Sequence, residues 1–350
     1  MYRLLRHIVF LLDPETAHHF AMNFLSIFVK IPLVKFLMKK LHLAKKNDPF
    51  ELMGLKFCNR VGLGAGFDKD AKYLDVMEAM GFGHIEIGTV TPRPQAGNEK
   101  PRLFRLYQDN ALINRMGFNN DGVDVIAERL KKYANRSYII GGNIGKNKDT
   151  PNEEAVNDYL TCFTKLYDHV DYFTVNVSSP NTPNLRELQD EDALRKLLST
   201  LQAENTRLGK NKPILLKIAP DLSYEQIDII IKIVMENKLQ GIVATNTTIA
   251  RENVSISDEE LKKIGPGGLS GVPLMAKSTD ILRYIEDKTN DQLVLIGVGG
   301  IMKKRDAIEK FKAGAELVQL YTGFIYNGPH LVRKINKIKM SNKIQNNQAE

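Results

Sequence analysis

From residue 60 onward, short apolar runs alternate with stretches of helical periodicity, and this alternation restricts the possible folds more than any other feature of the chain. Runs that read as strands fall at 61–65, 84–90, 138–144, 172–177, 214–218, 241–245, 293–298 and 317–321. Helical patterns lie between most of them, at 70–80, 153–168, 191–207, 223–237, 274–287, 303–312 and 328–339. A β-then-α rhythm of this length predicts an α/β fold, a (β/α)8 TIM barrel, rather than an open sheet. Residues 91–120 interrupt the rhythm. Within them, 103–106 and 111–114, joined through Asp109 and Asn110, predict a hairpin laid over a barrel mouth.

Residues 1–46 read differently, as short amphipathic helices. Asp13, Pro14 and Glu15 form a helix start, since Asp caps, Pro suits the first helical position and Glu favours the helix's positive end. Ala17, Phe20, Ala21, Phe24, Leu25 and Phe28 follow at helical spacing, Pro32 breaks the helix, and Leu33, Phe36, Leu37, Met38 and Leu41 begin another. Two readings stay open for this hairpin: it packs on the main body, or it lies on a membrane with its apolar face in lipid.

Charge bears on that choice. The formal charge is +8. Residues 1–46 carry eight Lys/Arg against Asp13 and Glu15, a net +6; the last twenty residues carry +4, and residues 47–330 carry −2. A slightly acidic body with basic ends speaks against a nucleic-acid groove and for an anionic surface near the N-terminus. No apolar run reaches the roughly 18 residues that span a bilayer, and the N-terminus lacks a secretory cleavage pattern. Two cysteines, Cys58 and Cys162, are too few for a disulfide framework or a cysteine metal site, so both are expected to be buried spectators in a reducing compartment, with no metal. The expected organisation is therefore a helical extension over 1–46, a barrel over 47–340 and a disordered tail over 341–350.

In such barrels the reactive groups sit at the C-terminal ends of the strands. Here those ends carry Ala65 to Lys69, Gly88 and Thr89, Asn143, Asn176, Lys217, Thr245 to Thr247, Gly299 and Gly300, and Tyr321 to Gly323. A single strand-end Asn or Thr is commonly a turn residue, but a full ring of amides, hydroxyls and lysines suits a planar polar ligand. The glycines after the seventh and eighth strands either turn the chain or let loop N–H groups approach a phosphate. Gly267 to Gly271 reads as a further backbone contact to a cofactor. Lys217, ending an apolar run, is expected to be a buried cation facing charge that builds up on a ligand ring. Asn114, Asn176, Asn181 and Asn246 suit a small substrate with amide and carboxylate groups.

These residues also carry a resemblance. Gly66-Phe-Asp-Lys-Asp70, Glu86-Ile-Gly-Thr-Val-Thr-Pro-Arg-Pro94, Asn114-Arg-Met-Gly-Phe-Asn119, Asn143-Ile-Gly-Lys-Asn147, Asn176-Val-Ser-Ser-Pro-Asn-Thr-Pro183, Lys217-Ile-Ala-Pro220, Ala244-Thr-Asn-Thr-Thr248 and Gly297-Val-Gly-Gly-Ile301 resemble the dihydroorotate dehydrogenases. The match covers about residues 1–340 and points to their second class, which carries an N-terminal helical extension and reduces a membrane quinone. The resemblance implies oxidation of dihydroorotate to orotate in pyrimidine biosynthesis, with one FMN per chain and quinone as acceptor. It implies FMN contacts at Ala65, Gly66, Phe67, Asp68, Lys69, Thr89, Asn143, Asn176, Lys217, Thr245, Gly271, Gly300, Tyr321 and Thr322. It places substrate at Lys69, Asn114, Arg115, Met116, Gly117, Phe118, Asn176, Asn181, Asn246 and Thr247, the catalytic base at Ser179, and quinone beside His18 and Arg105. Thr174 or a water is the candidate to assist Ser179.

One departure from the family pattern is Gly142, where a bulkier apolar residue is expected near the flavin. The protein is expected to be a monomer, peripheral on the cytoplasmic face of the inner or cell membrane, binding lipid through its N-terminal helices and no nucleic acid. Two rivals remain at this level. A soluble-class enzyme using fumarate or NAD requires a cysteine base at the corresponding loop, and a non-redox phosphate-binding barrel accounts for the glycines but not for the amide and lysine ring.

Overall fold

A computed structural model of the chain describes residues 2–42, 49–252 and 254–339. The expected boundary at residue 46 and the tail 341–350 lie outside the described residues.

Eight parallel strands, Val61–Leu63, His84–Val90, Ile139–Ile144, Tyr172–Asn176, Ile214–Ile218, Gly241–Ala244, Val294–Val298 and Leu317–Leu320, close into a barrel in sequence order. Nearly every strand residue is buried, because side chains on one face fill the barrel and those on the other meet the surrounding helices. Residues two apart share a face, so the inward positions form layers. The lowest layer is apolar: Ile139, Tyr172, Leu215, Val243, Ile296 and Leu317 pack with Phe57. A hairpin of Phe50–Leu52 and Leu55–Phe57, not foreseen from sequence, lays Phe50, Leu52 and Leu55 against that layer and closes the bottom. His84 sits there too, edge-on to Phe57, with neither ring nitrogen partnered; burial drives its pKa down to about 3, so it is neutral.

One layer higher the interior turns polar. Glu86 is fully buried and its carboxylate accepts from Asn143 Nδ2 (2.8 Å), Gln319 Nε2 (2.7 Å), Thr174 Oγ1 (3.1 Å) and Tyr172 Oη (3.2 Å). Tyr172 can cross to reach it because Gly141 leaves the space empty; a Cβ there would lie 2.2 Å from the ring. Gly142 faces the other way, against Val170 at 3.2 Å, where Val170 and Phe173 fill the gap. Its departure from the family pattern therefore concerns packing outside the barrel, against Val170 and Phe173.

The mouth is partly roofed. The predicted hairpin forms as Leu103–Leu106 and Ala111–Asn114, and Gly268–Gly271 adds a third antiparallel strand to it. Glycine at 271 is required by that approach, since at φ +99° a Cβ would stand 2.3 Å from the Asn110 carbonyl oxygen.

The N-terminal segment forms three helices, α1 (Tyr2–Val9), α2 (Pro14–Val29) and α3 (Pro32–His42). Asp13 caps α2 as expected, accepting from the N–H groups of Glu15 and Thr16 at 3.0 Å. Ala17, Met22 and Val29 face the barrel. Lys35 pairs with Asp75 (2.7 Å) and Glu78 (3.0 Å), Lys39 pairs with Glu78 (2.7 Å), and Arg6 donates to the Tyr326 carbonyl (2.9 Å). Part of the basic charge read as facing an anionic surface is thus spent on docking. The opposite face is apolar and exposed, with Phe20 60%, Phe24 52%, Leu33 66% and Phe36 61% accessible. The first sequence reading holds, since the hairpin packs on the body, and the apolar face on which the second reading rests stays exposed. Helices α2 and α3 meet at 113°, and among the described residues no single helix is long and apolar enough to cross a membrane.

Candidate active site

The inward ends of the strands and the loops beyond them enclose an open cleft of about 980 Å³. The structure brings Ala65, Gly66, Lys69, Thr89, Asn114, Met116, Gly117, Phe118, Asn176, Ser179, Asn181, Lys217, Thr245, Asn246, Thr247, Gly271, Gly300, Tyr321 and Thr322 to its walls. Nineteen positions chosen from scattered segments converge because each ends a strand or roofs the mouth.

At the floor lies the Lys217 ammonium, buried with its Nζ 4.0 Å from Glu86 Oε1. Burial pushes the Lys217 pKa down and the Glu86 charge opposes it. An amide network surrounds this pair. Asn176 Nδ2 donates to Thr89 Oγ1 (2.9 Å) and Asn143 Oδ1 (3.2 Å), while its Oδ1 accepts from Asn246 Nδ2 (3.2 Å). Asn246 Nδ2 also reaches Ser178 Oγ (3.0 Å), and Asn181 Nδ2 donates to Asn114 Oδ1 (2.9 Å). Ser179 is almost buried just beyond the fourth strand, and its Oγ accepts from the Asn181 N–H at 3.2 Å. At the far end Thr322 and Ser270 hydroxyls lie 2.8 Å apart among Gly271, Gly299, Gly300 and Gly323.

Several expected contacts fall elsewhere. Asn143 is fully buried behind the wall, bonded to Glu86 and Thr89 (2.5 Å), so it orients Thr89 and Asn176 and does not line the cleft. Arg115 turns away, donating to the carbonyls of Ile264 and Pro101 (2.9 Å) over the Phe104 ring, and so braces the roof. Asp68 accepts from the N–H groups of Lys72 and Tyr73 at 2.8 Å each, which folds its own loop; burial pushes its pKa up to about 6. Thr174 donates to Glu86, inside the barrel, and is not the partner of Ser179. Gln319, Ser270 and Glu86 were missed. The signal for Glu86 was a carboxylate inside an apolar strand, which a buried Lys217 needs as its counter-charge.

A second, wider cavity of about 1600 Å³ lies between the N-terminal helices and the barrel. His18, Arg105, Phe67 and Asp68 line it, the last two having been expected at the cofactor. His18 packs edge-on against Phe67 (4.7 Å); burial, then the Lys69 charge, lowers its pKa to about 3, so the imidazole is neutral. Arg105 donates to the Leu12 (2.9 Å) and Phe10 (3.2 Å) carbonyls and so holds the link between α1 and α2. Gly66, Lys69, Met116 and Tyr321 line both cavities. Burial, then the Arg102 charge, brings the Lys69 pKa down to about 8, and its Nζ donates to the Gly66 carbonyl at 3.0 Å. The cysteines take no part: Cys162 is buried on helix Ala155–Leu166, and Cys58 is half-buried before the first strand, less enclosed than expected.

A closed parallel barrel whose strand ends hold a buried cation, an amide ring and a hydroxyl in one cleft is an α/β-barrel enzyme. Residues 49–341 match the family model described as Dihydroorotate dehydrogenase. The chain is 56% identical over 339 residues to "Dihydroorotate dehydrogenase (quinone)" of Christiangramia forsetii, covering 96% of this chain and 98% of that one. It is 50% identical to the protein of the same description from Shewanella woodyi, covering 95% and 97%. The ligand-free DHODH of Eimeria tenella superposes with a TM-score of 0.83 at 38% identity, covering 96% of each chain. The chain belongs to the dihydroorotate dehydrogenase family.

Proposed function

We propose that the chain oxidises (S)-dihydroorotate to orotate with reduction of a quinone, as a flavoprotein of pyrimidine biosynthesis. The observation that carries this reading is the pair of cavities sharing one wall, one polar and one fed by the N-terminal helices. The cleft fits FMN by the chemistry of its lining, with Lys217 and amides at one end and hydroxyls and glycines at the other. Ala65, Gly66, Thr89, Asn176, Lys217, Thr245, Gly271, Gly300, Tyr321 and Thr322 would hold it, one per chain. Bound FMN would supply a two-electron acceptor for the substrate and a two-electron donor for the quinone.

Lys69, Asn114, Asn176, Asn181, Asn246 and Thr247 hold dihydroorotate in place, which supplies the proximity the reaction needs. Ser179 Oγ takes the proton from C5 as hydride leaves C6. The Asn181 N–H on that oxygen favours its ionised form, and with Thr174 committed to Glu86 the serine's own proton leaves through water. Quinone occupies the cavity beside His18 and Arg105, and the apolar face of α2 and α3 rests on lipid. The same reading includes a monomer on the cytoplasmic face of the membrane, an extension over 1–46 distinct from the barrel, and no nucleic-acid partner. A fumarate- or NAD-linked enzyme with a cysteine base is not favoured, since neither cysteine reaches the cleft.

Anaerobic addition of dihydroorotate is the test. The yellow of the holoenzyme should bleach and return on addition of quinone but not of fumarate or NAD. A protein without flavin, or one left yellow by substrate, sinks the reading.

A further inference from the structure

Ser179 and the residues that face its substrate sit on different loops, so something must fix the distance between them. Arg186, on the short turn Leu185–Gln189, is placed to do so. Its Nε donates to the Ser178 carbonyl at 3.1 Å, its Nη2 to the Thr247 carbonyl at 3.1 Å, and its Nη1 to the Asp221 carboxylate at 2.9 Å. Those three acceptors lie on the loops that follow the fourth, sixth and fifth strands. The Ser178 carbonyl belongs to the peptide unit whose nitrogen is that of Ser179, and Thr247 lines the substrate end of the cleft. Asp221 is itself locked, accepting from the Thr248 hydroxyl and from the Ile249 N–H at 3.1 Å, with Lys277 at 3.5 Å.

We propose that Arg186 is a positioning residue for proton removal, tying the Ser179 loop to the Thr247 loop and thereby setting the base against the substrate carbon. The inference rests on Ser179 being the base. A guanidinium suits the task because its rigid fork serves three acceptors in fixed directions, whereas a lysine offers a compact charge on a flexible stem. The adjacent Asp221 offsets the charge of Arg186, so its contribution is geometric and leaves the proton affinity of Ser179 unchanged. A displacement of about 1 Å in such a pair costs on the order of a hundredfold in rate.

The experiment uses full-length holoenzyme carrying Arg186→Met, Arg186→Lys or Asp221→Asn, with dihydroorotate deuterated at C5 or at C6. For Arg186→Met the limiting rate of flavin reduction should fall roughly ten- to a hundredfold. The C5 isotope effect should grow relative to the C6 effect, with the pH profile unchanged. Arg186→Lys should behave like Arg186→Met. Asp221→Asn, which loosens the anchor but leaves both carbonyl bonds, should show the same signature more weakly. Hydrogen exchange, read without turnover, should rise over 177–184 and 246–250 only. Wild-type isotope effects in Arg186→Met, even at reduced rate, overturn the assignment, because a damaged fold lowers the active fraction without changing which bond limits the rate. If Arg186→Met does not fold, Asp221→Asn decides by the same criterion. A wild-type flavin that dihydroorotate fails to bleach removes the underlying reading instead, and a wild-type rate in Ser179→Ala removes the base.

Discussion

The two cavities are built on opposite principles. The cleft at the strand ends is fixed by its own polar groups: Asn176 alone touches Thr89, Asn143, Ser178 and Asn246, and Glu86 anchors four donors beneath them. The cavity under the extension has one closed barrel wall, while the other is three short helices held by a few ties. The strongest tie joins Glu15 to Arg102, at 2.7 and 3.0 Å, with both side chains under 9% exposed. A prebuilt network suits a reaction that needs groups held to within fractions of an ångström. A docked wall suits a long apolar guest that must come and go from lipid.

Removing residues 1–46 should separate the two most completely. Quinone reduction and membrane partitioning should drop to background while anaerobic bleaching by dihydroorotate persists; surviving quinone turnover would assign the second cavity another role. Ser179→Ala is the mirror experiment. Bound flavin and its reoxidation by quinone should be unchanged, whereas reduction by substrate slows by about a hundredfold or more, as expected for loss of a general base. Glu15→Gln should act more gently, leaving Arg102 buried without its counter-charge at about 3 kcal/mol, seen as a lower Tm. The KM for quinone should rise with flavin reduction unaltered.

Acid should imitate that variant. Burial raises the Glu15 pKa, but the Arg102 contacts outweigh it and hold the carboxyl below its ordinary value. The stability it contributes is present above the ordinary carboxylate range and is lost as pH falls through the lowered value. An effect confined to acid pH is expected at the barrel floor. His84 stays neutral in the fold down to about pH 3, while the unfolded chain takes up a proton below about 6.5, so stability falls over that window as pH drops. His84→Leu should flatten the acid limb of a Tm-against-pH curve and leave turnover at neutral pH alone.

The barrel was legible because strands buried on both faces appear as unbroken apolar runs, and all eight fall within one or two residues of their predicted ends. The strand-end ring was legible for the same reason, since the fold itself says where inward residues go. What escaped was set by pairing at a distance. Gly268–Gly271 has no β-forming composition and is a strand only because Ala111–Asn114 lies beside it. Helix Val123–Leu130 was hidden by the insertion before it, and the floor hairpin by its three-residue strands. Arg115 and Asp68 were placed on the right segments but not in the right direction, because loop backbone decides where a side chain points, while Asn143, on the third strand, is taken up by Glu86 and Thr89. Glu86 and Lys217 each stand out as a charge within an apolar strand, but they lie far apart in sequence and only the closed barrel pairs them.

Gly66, Lys69, Met116 and Tyr321, which line both cavities, carry a last consequence. These four residues are the part of the wall that the two cavities share. In the proposed function substrate meets the first cavity and quinone the second, and electrons pass between them by way of the bound flavin. Steady-state plots should then give parallel lines, and an occupant of the helical side should compete with quinone and not with dihydroorotate. On the proposed reading, this shared wall keeps the two half-reactions apart in space.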